Sequence, residues 1–169
     1  MIFRFRCARA YGLASPSYRW GWSVIRSFEE YVREGIVEER SPDLPRSRDL
    51  RLDASNSFES IVSIRDAVGV SDALANAIVK LAYDAVMSAI RSHMVSCGYH
   101  ASGRGAHEAE VAYLRVLGVS DADVDFCDRL RYYRNGIMYY GKRFDAHYAE
   151  SVVLFASRML AVLDREDSL

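Results

Sequence analysis

Apolar residues recur along most of this chain at intervals of three and four, the spacing that places them on one side of a helix. Prolines stand only at 16, 42 and 45, so everything after residue 45 lacks the strongest helix breaker. The pattern predicts six helices. The first runs from about Trp22 to Arg33 and stops at Gly35; the second starts at Ser41 and Pro42 and reaches about Val68, with a stripe of Leu50, Ala54, Phe58, Ile61 and Val68. The third, opened by Ser71 and closed near Gly98, is the longest, and it has two apolar faces. Leu74, Ala77, Ile78, Leu81 and Ala85 line one, and Val79, Ala82, Val86, Ile90, Met94 and Cys97 line the other, which predicts a central helix with neighbours on both sides. Its small residues Ala85, Ser88, Ala89 and Ser92 permit a close neighbour.

The stretch YHASGRG, residues 99 to 105, reads as a loop into a short fourth helix of about Ala106 to Leu117. Ser120 and Asp123 form a capping-box-like start for a fifth helix that reaches Tyr140 before Gly141. The last helix, about Asp145 to Asp164, carries Ala149, Val152, Val153, Ala156, Leu160 and Leu163 on one stripe. Long helices joined by short connections predict an all-α, up-and-down antiparallel bundle of four main helices with short extra ones.

Length sets the domain count. At 169 residues and 50% hydrophobic, the chain fills one core and is short for two, so residues 22–169 read as a single domain. Residues 1–21 read as an extension: Arg4, Arg6, Arg9 and Arg19 alternate with Phe3, Phe5, Tyr11, Tyr18 and Trp20, with no acid among them. That composition offers phosphates to the arginines and bases to the rings, or else simply a cover for one end of the bundle. A formal charge of -1 gives no global field for a polyanion, so any nucleic-acid site must be a local cluster. Cys7, Cys97 and Cys127 are widely spaced and odd in number, which fits reduced thiols. With no signal-peptide pattern and no run of 18 apolar residues, the expected setting is cytoplasmic and without membrane.

One segment looks chemical. On the fifth helix Arg134 falls inside the face of Cys127, Leu130, Ile137 and Met138, where an unpaired guanidinium would cost several kcal/mol. It therefore needs a carboxylate such as Asp84 or Glu110, a subunit boundary, or an anionic ligand. Arg131, Asn135 and Tyr139 follow one another at four-residue spacing along a polar edge, while Arg129 falls on the solvent side. Arginine suits phosphate because it is permanently charged and presents a planar fork of donors. His107 opens the fourth helix, where terminal N–H groups favour an anion. The four histidines lack metal-ligand spacing, and neither a metal nor another cofactor is expected.

The string LRYYRNGIMYYGK, together with GYHASGRGAHEAEVAYL before it, resembles archaeal and bacterial members of the HEPN (higher eukaryotes and prokaryotes nucleotide-binding) family over roughly residues 28 to 163. The resemblance implies a helical bundle that dimerises and cleaves RNA without metal. In active members an Arg and a polar residue are followed, after four to six positions, by a His. Here the pair is Arg134 and Asn135, but Tyr139 and Tyr140 stand where that His belongs. A Tyr, with a reference pKa of about 10, donates a proton but is a poor base. The expectation is a homodimer that binds RNA or a nucleotide, with Arg134, Asn135 and Tyr139 at a degenerate ribonuclease site and Arg131, Tyr140 and His107 binding ligand. Such toxin-like or defence-associated proteins accompany a minimal nucleotidyltransferase. The alternative is a non-enzymatic interaction module that uses Tyr132, Tyr133, Tyr139 and Tyr140 as contact surface.

Overall fold

The structure, a computed structural model, describes residues 25–166, apart from the side chains of residues 136–140 and 166. The basic and aromatic extension of residues 1–21 lies outside the described residues. In chain order the elements are α1 (Phe28–Arg33), β1 (Val37–Glu39), α2 (Leu44–Val68), α3 (Asp72–Ser96), β2 (Tyr99–Ala101), α4 (Ala106–Val116), α5 (Asp121–Tyr140) and α6 (Ala146–Glu166). The class is all-α, a helical bundle whose long members are α2, α3, α5 and α6.

Direction alternates along the chain. Ser47 meets Ser92 and Asp53 meets Ser88, so α2 is antiparallel to α3. Asp84 of α3 faces Arg134 of α5, and Phe126 and Asp123 of α5 meet Phe155 and Arg158 of α6, which makes both of these pairs antiparallel as well. Helix α3 sits at the centre: Ile78 and Ala85 of its first apolar face and Val79, Ala82, Val86, Ile90 and Met94 of its second are buried, whereas Ala77 and Cys97, expected on those faces, are exposed. The small stripe on α3 receives α2. Ser92 Oγ donates to the Ser47 carbonyl at 2.8 Å, so the 3.1 Å contact between the two hydroxyls is donated by Ser47, and Ser88 Oγ donates to Asp53 Oδ2 at 2.7 Å. These bonds satisfy hydroxyls that burial would otherwise leave unpaired.

Helix α2 buries much less. Ser47, Ala54 and Ile61, seven residues apart, form a narrow seam, while Leu52 and Val68 point outward, so Val68 is not part of the stripe expected for it. The start of α2 also differs: Asp43 is its N-cap, accepting from Arg46 N at 3.0 Å, and Pro45 rather than Pro42 occupies the first turn. Helix α1 begins at Phe28, later than Trp22, because Ser27 and Glu30 make a capping box there.

A short two-stranded sheet was not anticipated. β1 pairs antiparallel with β2, Val37 opposite Ala101 and Glu39 opposite Tyr99, so the segment read as a loop begins with a strand. Gly98 makes the turn into it with φ +83°, and Arg40 N donates to its carbonyl at 2.7 Å. The loop between α5 and α6 is held by Asn76 of α3, whose amide donates to the Lys142 carbonyl at 2.7 Å and accepts from Phe144 N at 2.9 Å. By length and composition α3 and α6 match a membrane span, but most of the apolar window of α3 is buried among its own neighbours.

Candidate functional site

Ser120 and Asp123 fix the start of α5: Asp123 N donates to Ser120 Oγ at 3.2 Å and that hydroxyl donates to Asp123 Oδ2 at 3.0 Å. From this start the helix turns Val124, Cys127 and Leu130 into the core. Burial pushes the Cys127 thiol up to about 12 and makes it an inert packing group. The same projection brings Arg131 and Arg134, one turn apart, to the margin where α5 meets α3 and α4.

Arg134 is half-buried rather than fully inside, with 35% of its side chain exposed. Its Nε stands 3.9 Å from Asp84 Oδ1, within ion-pair range but beyond a hydrogen bond. That Nε is shielded from solvent and has no hydrogen-bond partner. Of the two acids expected as companions, Asp84 is the one it meets, because Glu110 is engaged elsewhere.

Arg131 is better satisfied. Its Nε donates to Asp128 Oδ1 at 2.7 Å, and Nη1 lies 3.3 Å from Glu108 Oε1 of α4. Two carboxylates on one guanidinium leave little free charge for a phosphate. Asn135 is exposed next to Arg134, and the side chains of Tyr139 and Tyr140 lie outside the described residues.

The strongest polar contact of this region joins α3 to α4. Arg91 Nε donates to Glu110 Oε1 at 2.8 Å and Nη2 to Oε2 at 3.0 Å, a fork on a carboxylate whose side chain is only 7% exposed. His107 shares this pair. Its Nδ1 is 2.9 Å from Arg91 Nη2 and 3.1 Å from Glu110 Oε2, so a neutral ring accepts from the guanidinium and a charged ring donates to the carboxylate. Burial alone pushes the Glu110 carboxyl up, but the hydrogen bonds from His107 and Arg91 outweigh it and hold the group below its ordinary range. The His107 side chain is mostly exposed.

The margin of α3, α4 and α5 thus carries Arg91, Arg131, Arg134 and His107 against Glu110, Asp128, Glu108 and Asp84. Charge nearly balances along this line. Its uneven member is Arg134, the arginine with the longest ion pair and an unanswered donor. Sequence reasoning did not single out Arg91, although a signal existed: it is the one charge between Met87 and Val95, a run otherwise almost wholly buried. Among the described residues no three His, Cys, Asp or Glu side chains cluster as a metal site would require.

No protein-family model, curated protein or solved structure matches this chain.

Proposed function

We propose that this chain is a HEPN-like bundle that binds RNA or a nucleotide, as a homodimer, at the α5 margin centred on Arg134, with metal-independent ribonuclease activity weak or lost. The single observation that carries this reading is the unanswered Nε of Arg134 beside a carboxylate too distant to hydrogen-bond. A shielded donor without a partner costs about 1–3 kcal/mol, which a phosphate oxygen would recover. Arg134 and Asn135 on a late helix of an alternating four-helix bundle are also what the family resemblance leads one to expect.

Cleavage of RNA needs a base for the 2′-hydroxyl and an acid for the leaving oxygen. At the position of the family His this chain has Tyr139, which suits the second task and not the first. His107 lies beside this margin, since its neighbour Glu108 is held by Arg131, and Glu110 together with Arg91 fixes its ring. That anchoring leaves Nε2 as the nitrogen available for proton transfer, so any residual activity depends on His107.

A second reading is favoured by Tyr132, which is 52% exposed on α5 and stacked edge-on with Tyr133. On this reading the same face docks a protein, such as a minimal nucleotidyltransferase, instead of RNA.

The test is equilibrium binding of labelled RNA and of nucleotides to the purified chain in chelator, alongside Arg134→Ala. The proposal expects the variant to stay folded and dimeric while binding falls by about tenfold or more. A folded wild-type chain with no affinity for either ligand, or an Arg134→Ala protein that loses only its dimer, would favour the docking reading instead.

A further inference from the structure

On the far side of the Arg91–Glu110 pair lies a small open cleft of about 40 Å³, walled by α2, α3, β2 and α4. Arg46 from the first turn of α2, Arg91 from α3 and His100 from β2 converge on it, with Met94 and Tyr99 supplying apolar wall and Glu110 the one acid. These three basic groups come from three separate elements. Among the described residues the side chains of Arg46 and His100 make no hydrogen bond or ion pair. Arg91 commits Nε and Nη2 to Glu110 and His107, and its other Nη has no protein partner.

The acid is the natural objection. Glu110, however, is already spanned by the Arg91 fork and touched by His107, so its charge is answered within the wall. Counting Arg46 and Arg91 against Glu110 leaves the cleft with an excess positive charge before His100 is protonated. A planar carboxylate is satisfied by one guanidinium fork, whereas a tetrahedral oxyanion takes donors from several directions.

From this geometry we infer that the Arg46, Arg91 and His100 cleft is a binding site for a phosphate monoester group, separate from the α5 margin. The group arrives either as free phosphate or as the terminal phosphate of an oligonucleotide, since both present the same dianionic oxygens. This does not depend on Arg134 binding anything.

Calorimetric titration of the full chain with inorganic phosphate, and with one RNA oligonucleotide in 5′-phosphorylated and 5′-hydroxyl forms, tests it. Wild-type protein binds phosphate, and Arg46→Ala weakens that binding by about tenfold, whereas Arg65→Ala, at an exposed arginine in the last turn of α2, leaves it unchanged. A preference for the phosphorylated oligonucleotide that vanishes in Arg46→Ala identifies the terminal phosphate as the ligand; phosphate binding with no such preference identifies the free ion. Because the Arg46 side chain has no partner to lose, its variant is expected to fold, and circular dichroism verifies this. Absence of phosphate binding, an Arg46→Ala protein that binds like wild type, or an equal loss of phosphate binding in Arg65→Ala overturns the inference.

Discussion

Arg91 and Glu110 form a two-point guanidinium–carboxylate contact at 2.8 and 3.0 Å, and it is the polar joint between the central helix and α4. Glu110 is buried while the Arg91 side chain keeps 32% of its surface exposed, so removing the carboxylate strands a partly buried guanidinium. Glu110→Ala should destabilise the fold by about 3 kcal/mol, read as a lowered urea midpoint with an unchanged slope. An unchanged midpoint would mean that the pair contributes no net stability.

The same contact predicts a pH dependence. The Glu110 carboxyl is held below its ordinary value of 4.5, burial acting against the shift and the bonds from His107 and Arg91 producing it. A carboxyl whose folded value is depressed stabilises the fold fully above its unfolded value and loses that contribution as pH falls through the folded one. Wild type should therefore lose more stability than Glu110→Gln between neutrality and the acid range below pH 4.5. Denaturant titrations of both proteins across that range check it; parallel curves would contradict it.

Cys97 and Cys127 should react very differently. Cys97 Sγ lies 3.7 Å from His93 Nδ1, which itself is 2.9 Å from the Tyr113 hydroxyl, and the hydrogen bond from His93 brings the thiol down to about 7 against the opposing effect of burial. Its thiolate fraction rises as pH passes through about 7, while Cys127 stays protonated until about 12. Iodoacetamide labelling followed by peptide mass spectrometry should show Cys97 modified early, with a rate that climbs from pH 6 to 8 as about half the thiol ionises near the midpoint, and Cys127 untouched in folded protein. Equal labelling of both would refute the arrangement. His93→Ala should shift the Cys97 profile to higher pH.

Two glycines separate backbone conformation from space. Gly98 has φ +83°, and a Cβ there would collide with the Arg40 carbonyl oxygen at the end of the paired strands. Gly118, at the end of α4, has φ +72° with open space around it. Gly118→Ala should cost about 1 kcal/mol from conformation alone, and Gly98→Ala at least about 2 kcal/mol because the strand must also move. Thermal melts of the two variants check the order; a reversed order would mean that the strand pair is free to shift.

The long helices were legible because their apolar spacing is regular and glycines end them. Helix α3 declares its central place through two apolar faces, and α5 its start through Ser120 and Asp123. The two-stranded sheet was not legible, since three-residue strands such as Val37–Glu39 have no period to detect, and pairing across some sixty residues is a tertiary event. Helix α2 was over-read: Val68 fits a helical stripe, yet as the last residue of the helix it is exposed. At the site, the sequence placed Arg134 and named Asp84 as one possible companion. It did not foresee that Arg131 would be taken by Glu108, because an ion pair to another helix depends on which turns face each other; Asp128, three residues earlier on the same helix, was a partner the spacing offered and the reading passed over.

The account rests on Arg134 having charge to spare for a phosphate, with Asp84 as its loose competitor at 3.9 Å. Asp84→Asn removes that competitor while keeping its shape, which makes RNA affinity of this variant at fixed salt the most direct measurement. The account predicts tighter binding, by roughly threefold to tenfold, with a steeper decline as salt rises. Affinity equal to or weaker than wild type in a folded Asp84→Asn protein would contradict it.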